Sequence, residues 1–487
     1  MTNVLEMLEE SAKKYPNKIA FKDEYNELSF SKLLELSKRG GSCLKNGAIA
    51  IHMKKSCAAL SVMLSAVQAG GFYSIIDLDL PVVRKRKICD TLMAVTVVCD
   101  DELLAESKDI FIGYEVLSAS SILTHTINQE KLQRTRNNHI STDVLYCNFT
   151  SGSTGDPKGI LISHASVIDF ITIFTKTLNL KHTDILANQA PFDFDVSVKD
   201  IYSTLYLGAQ TLLIPRQYFT KPIDLINFIG SATIYIWAVS ALIFLNKMKV
   251  FSYKIPKIRK IIYSGEIMPN KHLIKLKEYL PNTEFINVYG PSEITCNCTF
   301  HILKNKDLAH NEHIIGTPFA NRRVLLRDEN ENIIKEHMKI GEICVSGICL
   351  SIGYINHDNS SFYQDSKGQR FYKTGDLAFY NKDGLLCIKG RKDFQIKRMG
   401  HRIELNEIET IAQQCKEVSR ACAIYANGKL NLFFEGDQDE INLSKFLRQN
   451  LPYYMLPNAI IKKDALNITK NGKIDRKALH MELHCEK

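Results

Sequence analysis

The stretch YCNFTSGSTGDPKGILISH, residues 146 to 164, gathers side chains suited to holding an anion. Gly152, Gly155 and Gly159 leave room for backbone N–H groups to turn inward. Hydroxyls of Thr150, Ser151, Ser153 and Thr154 add donors, and Lys158 adds a positive charge. A phosphate suits such a loop; a plain Gly/Ser surface loop is the competing reading. A Walker loop would need GxxxxGK[ST] running straight into a helix. Here Lys158 is followed by Gly159 and then by the apolar run GILIS, so the glycine spacing is wrong and a strand follows. Nucleoside triphosphatases of the P-loop kind are excluded.

The elements that must position this loop are legible on both sides. DVLYCNF reads as a strand before it, GILIS as a strand after it, and SHASVIDFITIFTKTL as a helix starting near His164. Elsewhere, strand-like runs at 75–76, 211–214 and 260–263 alternate with helical patterns such as SALIFLNKMKV. That alternation predicts an α/β fold with largely buried sheets. One break stands out in DGLLCIKGRKDFQIKRMGHRIELNEIE, where a strand, a charged glycine turn, a second strand and a helix start follow one another. A boundary is expected between Gly390 and Asp393: a large multi-subdomain N-terminal domain over 1–390, then a small α+β domain over 391–487. The latter is about a hundred residues, a typical small-domain size, and reads as two or three strands with helices.

Composition bounds the rest. The 487 residues are 45% apolar and carry a net charge of +9 spread thinly, so the chain is globular. The densest basic cluster, VVRKRKICD, lacks the aromatic interleaving of a nucleic-acid face, and no nucleic-acid partner is expected. No apolar run approaches the roughly 20 residues that cross a bilayer, and the N-terminus has no signal-peptide core. Thirteen Cys without a repeating frame read as reduced thiols, mostly packed as small hydrophobes, which predicts a cytoplasmic protein.

Four further motifs follow the loop in order: NVYGPSE (287–293), YKTGDLA (372–378), GRKDFQIKRMGHRIELNEIE (390–409) and NGKIDRKAL (471–479). Together the five resemble the core motifs of the adenylate-forming superfamily. That group includes amino-acid adenylation domains of nonribosomal peptide synthetases, D-alanine–carrier protein ligases and acyl-CoA synthetases. The resemblance runs from SFSKLLELS near residue 30 to the last Lys-bearing turn. It implies a large N-terminal domain, a small mobile C-terminal domain, and a reaction in which a carboxylate and ATP give an acyl-adenylate and pyrophosphate, usually followed by a thioester. ATP and Mg²⁺ are the expected cofactors.

By the same resemblance, Glu293 matches the Mg²⁺ ligand, although a Glu after a Gly-Pro turn also suits a helix start. Asn287 and Tyr289 match the adenine contacts, with Gly265 and Glu266 on the same side and Val288, Gly290, Pro291, Ser292 and Ile388 completing the nucleotide site. Asp376 matches the acceptor for both ribose hydroxyls, a task suited to a carboxylate, and Arg391 is expected at the nucleotide too. Lys473 matches the mobile catalytic lysine, stabilising charge that builds as the carboxylate attacks; its basic neighbours Lys470, Arg476 and Lys477 keep a solvated role open. Asp393 sits where the family has its hinge.

PFDFDVSVKDIY (191–202) bears on the substrate. It is similar to the FDxSV segment of amino-acid adenylating members, placing Asp195 where a substrate ammonium is anchored. Asp193 as the anchor, with Asp195 capping a helix, stays open. Phe194, Val196, Lys199, Trp237, Ile262, Ser264, Val288, Gly290, Cys296 and Asn297 are the implied pocket. Trp237, the one Trp of the chain, would fill much of it and so favour a small side chain. Val196 with Ser264 resembles serine-selecting domains. Lys199 would invite an acidic group if it points inward; beside Asp200 at a helix start it is otherwise solvated.

IIYSGEIMPNKHLIKLKEYLPNTEFINVYGPSE is most similar to D-alanine–carrier protein ligases, which have Cys at the position of Ser264, and KRMGHR departs from the K-x-R-G of peptide synthetase domains. No carrier-attachment, condensation or thioesterase segment fits in the remaining chain, so the expectation is a freestanding ligase, taken as a monomer, that activates a small amino acid and charges a separate phosphopantetheine-bearing carrier protein. An acyl- or aryl-CoA ligase and a non-catalytic nucleotide-binding relative are the alternatives.

Overall fold

Apolar runs of strand length separated by amphipathic segments require sheets covered by helices. The computed structural model describes residues 1–152, 156–309, 312–469 and 474–485. Its packing separates two compact units. One comprises Met1–Ile76, Met93–Asn148 and Ile160–Lys392; the other comprises Asp77–Leu92, Phe149–Gly159 and Asp393–Lys487.

The first unit is built on two large sheets. In the larger, the strands Gln210–Leu213, Ile185–Asn188, Ile234–Ala238, Lys260–Ser264 and Glu284–Tyr289 lie side by side and parallel. Parallel strands are buried on both faces, which is why they read as continuous apolar runs. The sheet continues through antiparallel strands to Arg370–Tyr380 and Leu386–Arg391. The other sheet holds Val144–Thr150 and Lys158–Ser163, the strands expected on either side of the glycine loop. The helix His164–Thr177 follows, with the Ser163 hydroxyl accepting from the Ser166 N–H as its cap.

Alternation along the parallel strands divides their side chains between two cores. Ile234, Ile236, Ile262, Ile286 and Val288 pack into one, together with Val198, Ile201, Tyr202 and Leu205 of the helix Val196–Leu207. Tyr235, Trp237, Ile261, Tyr263 and Phe285 pack into the other. Each such fully buried side chain contributes about 1.5–3 kcal/mol of burial free energy, enough to fix the strand register and hence which face each residue presents. The helix Val196–Leu207 ends at Gly208, which has φ +70, and a Cβ there would meet the Tyr15 ring at 2.4 Å. Glycine satisfies both demands.

The second unit contains the hairpin Gln395–Arg398 and His401–Glu404, the helix Leu405–Gln413, and a sheet of Val418–Ala426, Lys429–Gly436 and Ala459–Lys462. Its core joins Ile408, Ile411, Leu430, Leu432, Phe434 and Leu443. The expected two or three strands are five among the described residues, because the hairpin forms a small sheet of its own. The helix Val82–Leu92, home of the densest basic cluster, also belongs to this unit.

Candidate functional site

The helix Val196–Leu207 starts immediately after Asp195, whose backbone holds the N-cap position while its side chain makes no capping hydrogen bond. Among the described residues the Asp195 carboxylate has no hydrogen-bond or ion-pair partner. Its carbonyl is held from across the site by the Cys296 thiol, Sγ to O 3.0 Å. A cap is therefore the role this side chain does not play, and the carboxylate is left to meet something else.

One helical turn further, on the same face, Lys199 is only 1% exposed. Its Nζ donates to Asn297 Oδ1 at 3.0 Å and to Ser264 Oγ at 3.3 Å. The expectation of a solvated Lys199 fails because the side chain points into the sheet rather than off the helix. Burial pushes its amine pKa down, with Cys296, Asp195 and Asp200 pulling the other way. Asp200, the next residue, faces elsewhere: it accepts from Asn188 Nδ2 at 2.9 Å, and burial pushes its carboxyl up to about 7. Lys55 stands beside Asn188, its Nζ 3.2 Å from both oxygens of that residue, and burial lowers its amine to about 7.

Ser264 closes the strand Lys260–Ser264, and Ala238 is its register partner on the neighbouring strand. Ile262, Val288 and Cys296 pack in the core that the helix of Lys199 shares. Trp237 does not. Its indole lies in the opposite core, stacked on Tyr235 with ring centroids 4.9 Å apart, and its Nε1 donates to Ala187 O at 2.7 Å. The expected pocket-filling Trp therefore lies on the face opposite Ile262 and Val288, while Ile236, one residue earlier on the same strand, shares their core. Strand alternation is the reason, and the argument for a small substrate side chain falls with Trp237.

The segment after the strand Glu284–Tyr289 forms a tight floor. Ser292–Ile294 make a single helical turn, and Thr295 and Cys296 take φ of +53 and +71, bringing the chain back under Gly290. A Cβ on Gly290 would stand 2.6 Å from both Asn297 Cα and Cys296 O. Cys298 N–H returns to Tyr289 O at 2.8 Å, so the turn is tied to the strand that precedes it.

Tyr289 and Asp376 meet directly: the phenol donates to Asp376 Oδ2 at 2.5 Å. Arg391 Nη1 donates to Asp376 Oδ1 at 2.6 Å, as the strand register places the two residues opposite each other. Burial raises the Tyr289 pKa well above its usual value, and the Asp376 carboxylate adds to this. Asn287 Nδ2 donates to Ile314 O at 2.7 Å. Ile388 donates its N–H to His313 O. At Gly265, which has φ +98, nothing lies within 4 Å of where a Cβ would stand, so the backbone there is open, and Glu266 adjoins it.

Glu293 is 1% exposed and accepts from the Tyr354 hydroxyl at 2.7 Å. Sequence alone does not single out Tyr354, which lies 61 residues away and carries no motif. Among the described residues no group of three or more His, Cys, Asp or Glu is arranged to hold a metal ion. A single buried carboxylate still fits Mg²⁺, which is commonly held by one or two carboxylates together with substrate phosphates.

In the second unit, Ser151 and Gly152, the described residues that open the glycine loop, are held by main-chain and carboxylate partners. Ser151 Oγ donates to Arg402 O at 2.9 Å and accepts from Glu404 N–H at 3.0 Å. Gly152 N–H donates to Glu407 Oε2 at 2.9 Å, and the other oxygen of Glu407 is held by Arg84 in a buried ion pair. A Cβ on Gly152 would meet Asp156 O at 2.0 Å, so only glycine lets the loop fold back here. Thr150 and Lys158 end and begin the flanking strands. Ser153, Thr154 and Lys473 lie outside the described residues. Sequence reasoning misses Glu407 and Arg84, since their pairing joins positions 323 residues apart.

Comparison with known proteins places this geometry in a family. The family model of the AMP-binding enzymes matches residues 8–355. Bacitracin synthase 1 of Bacillus licheniformis is 31% identical over 97% of this chain, which spans only 9% of that protein's length. A D-alanine–D-alanyl carrier protein ligase of Bacillus cereus is 29% identical over 99% of both chains. In fold, the chain superimposes with a TM-score of 0.86 and 19% identity on the Vibrio cholerae adenylation domain AlmE, solved with glycyl-adenosine-5′-phosphate, covering 100% of this chain and 98% of that one. The chain belongs to the AMP-binding enzymes of the adenylate-forming superfamily.

Proposed function

We propose that the protein activates an α-amino acid with ATP, releasing pyrophosphate, and passes the aminoacyl group to the phosphopantetheine thiol of a separate carrier protein. The unpartnered Asp195 carboxylate carries this reading. The half-buried carboxylate, on the helix face of Lys199, has no partner among the described residues, and a substrate ammonium would supply one. Similarity to a D-alanine–D-alanyl carrier protein ligase along the whole of both chains supports the carrier as acceptor.

The reaction asks for an in-line attack of the substrate carboxylate on the α-phosphorus while negative charge accumulates, so positioning and charge relief do most of the work. Asp195 orients the amino acid through its ammonium. Asp376, already aligned by Arg391 and Tyr289, accepts the ribose hydroxyls, and Asn287 and the ring of Tyr289 receive adenine. The loop at 150–154, with Lys158, takes the leaving pyrophosphate, for which the Gly152 N–H and the Ser151 hydroxyl must exchange the Glu407 and Arg402 acceptors they hold in the structure. Lys473 bridges the attacking carboxylate and the phosphate. Glu293 would hold Mg²⁺, which when bound relieves charge on the phosphates. Residues 1–390 are proposed as the ATP- and amino-acid-binding domain and 391–487 as the small domain that brings Lys473, with Asp393 as its hinge.

No helix among the described residues is long and apolar enough to cross a membrane. The described cysteines are all free thiols, which fits a reducing compartment; we place the enzyme in the cytoplasm, as a monomer.

The test is ATP–pyrophosphate exchange across the L-amino acids, D-alanine, glycine and common aryl acids. Exchange with an amino acid is expected; exchange with aryl acids alone would refute the role of Asp195. Lys473→Ala should abolish exchange while ATP binding survives, and retained exchange would remove Lys473 from the chemistry.

A further inference from the structure

Lys199 poses a question that the activation chemistry leaves unanswered. An ammonium offers three donors, and this one finds two acceptors, Asn297 Oδ1 and Ser264 Oγ, both neutral. Among the described residues no carboxylate lies within 4.0 Å of its Nζ. Asp200 accepts from Asn188, whose own side-chain oxygen accepts from Lys55. Asp195 and Asp200 act on this ammonium only from beyond ion-pair distance, and a cation held 1% exposed without a direct counter-ion is unfavourable, so either the site tolerates that cost or a ligand removes it.

The ligand's chemistry follows from the helix. Asp195 and Lys199 are four residues apart, hence stacked on one face about 6 Å apart along the axis. One offers an unpartnered carboxylate, the other an under-partnered ammonium. The complement is a molecule with an ammonium at one end and a carboxylate one short side chain away. Ile236, Ile262 and Val288 belong to the apolar core that this helix shares, and apolar surroundings strengthen charge pairing by excluding water. Ser264 and Asn297 hold Lys199 in line, and Asn297 is itself fixed beneath Gly290.

We propose that the side-chain pocket selects an amino acid whose side chain ends in a carboxylate, aspartate or glutamate, with Lys199 as the specificity-determining residue. This rests on the reading that Asp195 anchors the substrate ammonium. It replaces the expectation of a small side chain, which depended on Trp237. Removing the side-chain carboxylate, as in asparagine or glutamine, leaves the buried ammonium without its counter-charge, and a site built around a polar group rejects analogues that lack it far more strongly than an apolar pocket does.

The test measures kcat/KM for pyrophosphate exchange with the full chain and aspartate, glutamate, asparagine, glutamine, serine, glycine and both enantiomers of alanine. One acid should exceed its own amide and every neutral amino acid by about 100-fold or more. In Lys199→Met, exchange with the acid should fall by about 100-fold or more and the order of acid and amide should invert. The wild-type comparison decides the matter even if that variant does not fold. A wild type that prefers alanine, glycine or serine over both acids overturns the proposal while leaving amino-acid activation intact. Exchange with aryl acids alone overturns both.

Discussion

Replacing Gly290 by alanine tests how tightly the pocket floor is built. The new Cβ would stand 2.6 Å from Asn297 Cα and Cys296 O and 3.0 Å from Cys298 N. Ordinary contact begins at 3.4 Å, so the floor must retreat by about 0.8 Å. Every obstructing atom is backbone, and no rotamer change relieves the clash. Gly290 is not among the residues with positive φ, so the effect is steric and not conformational. The retreat moves Asn297, and with it Lys199, and it pulls on the Cys296 bond to Asp195 O. A misplacement near 1 Å costs about 100-fold in rate, while overpacking of this kind costs about 1–3 kcal/mol of stability. Gly290→Ala should therefore lower kcat/KM for pyrophosphate exchange by about 100-fold in a protein that still folds, shown by a cooperative thermal melt. Near-normal exchange together with an unchanged melt would refute the claim that the backbone of 295–298 sets the substrate position.

Two further outcomes follow from other parts of the molecule. Asp393→Pro should spare pyrophosphate exchange and block loading of the carrier thiol, measured as aminoacyl transfer to a phosphopantetheinylated carrier; equal loss of both half-reactions would remove Asp393 as the hinge. Asp200 titrates at about 7 in the folded chain against an ordinary 3.8. Between those values the folded state binds the extra proton, so the contribution of this group to stability falls as pH rises through that window. Asp200→Asn should remove the fall, seen as urea midpoints that diverge from wild type between pH 4 and 7; parallel profiles would show that Asp200 titrates normally.

The sequence carries the large features because they are written in periodicity and local turn chemistry. The strands at 144–150 and 158–163 and the helix at His164 follow from alternation, a glycine loop and a serine cap. The site is only half legible. Asp195 can be singled out from its segment, and its lack of a cap bond needs the structure. Trp237 and Ile236 are neighbours in sequence and face opposite cores, a distinction set by register against Lys260–Ser264 rather than by residue type. Lys199 is ambiguous because a lysine beside an aspartate at a helix start suits water as well as a pocket; only the packing of its helix against the sheet decides. Tyr354 on Glu293 and Arg84 on Glu407 are pairings between remote segments, which leave no local trace.

The polar triangle of Lys199, Ser264 and Asn297 has a consequence for how the chain folds. Its two hydrogen bonds close loops of 65 and 98 residues, and neither can form until the intervening parallel strands have assembled in register. Closure over such distances is entropically expensive, and long-range parallel pairing is slow. Until then the lysine stays in water, where its charge is well solvated, and its desolvation comes late. The three side chains are thus expected to come together among the last contacts to form. Unfolding should separate them early in return, so a substrate that pairs with Lys199 would hold the finished sheet together and slow unfolding.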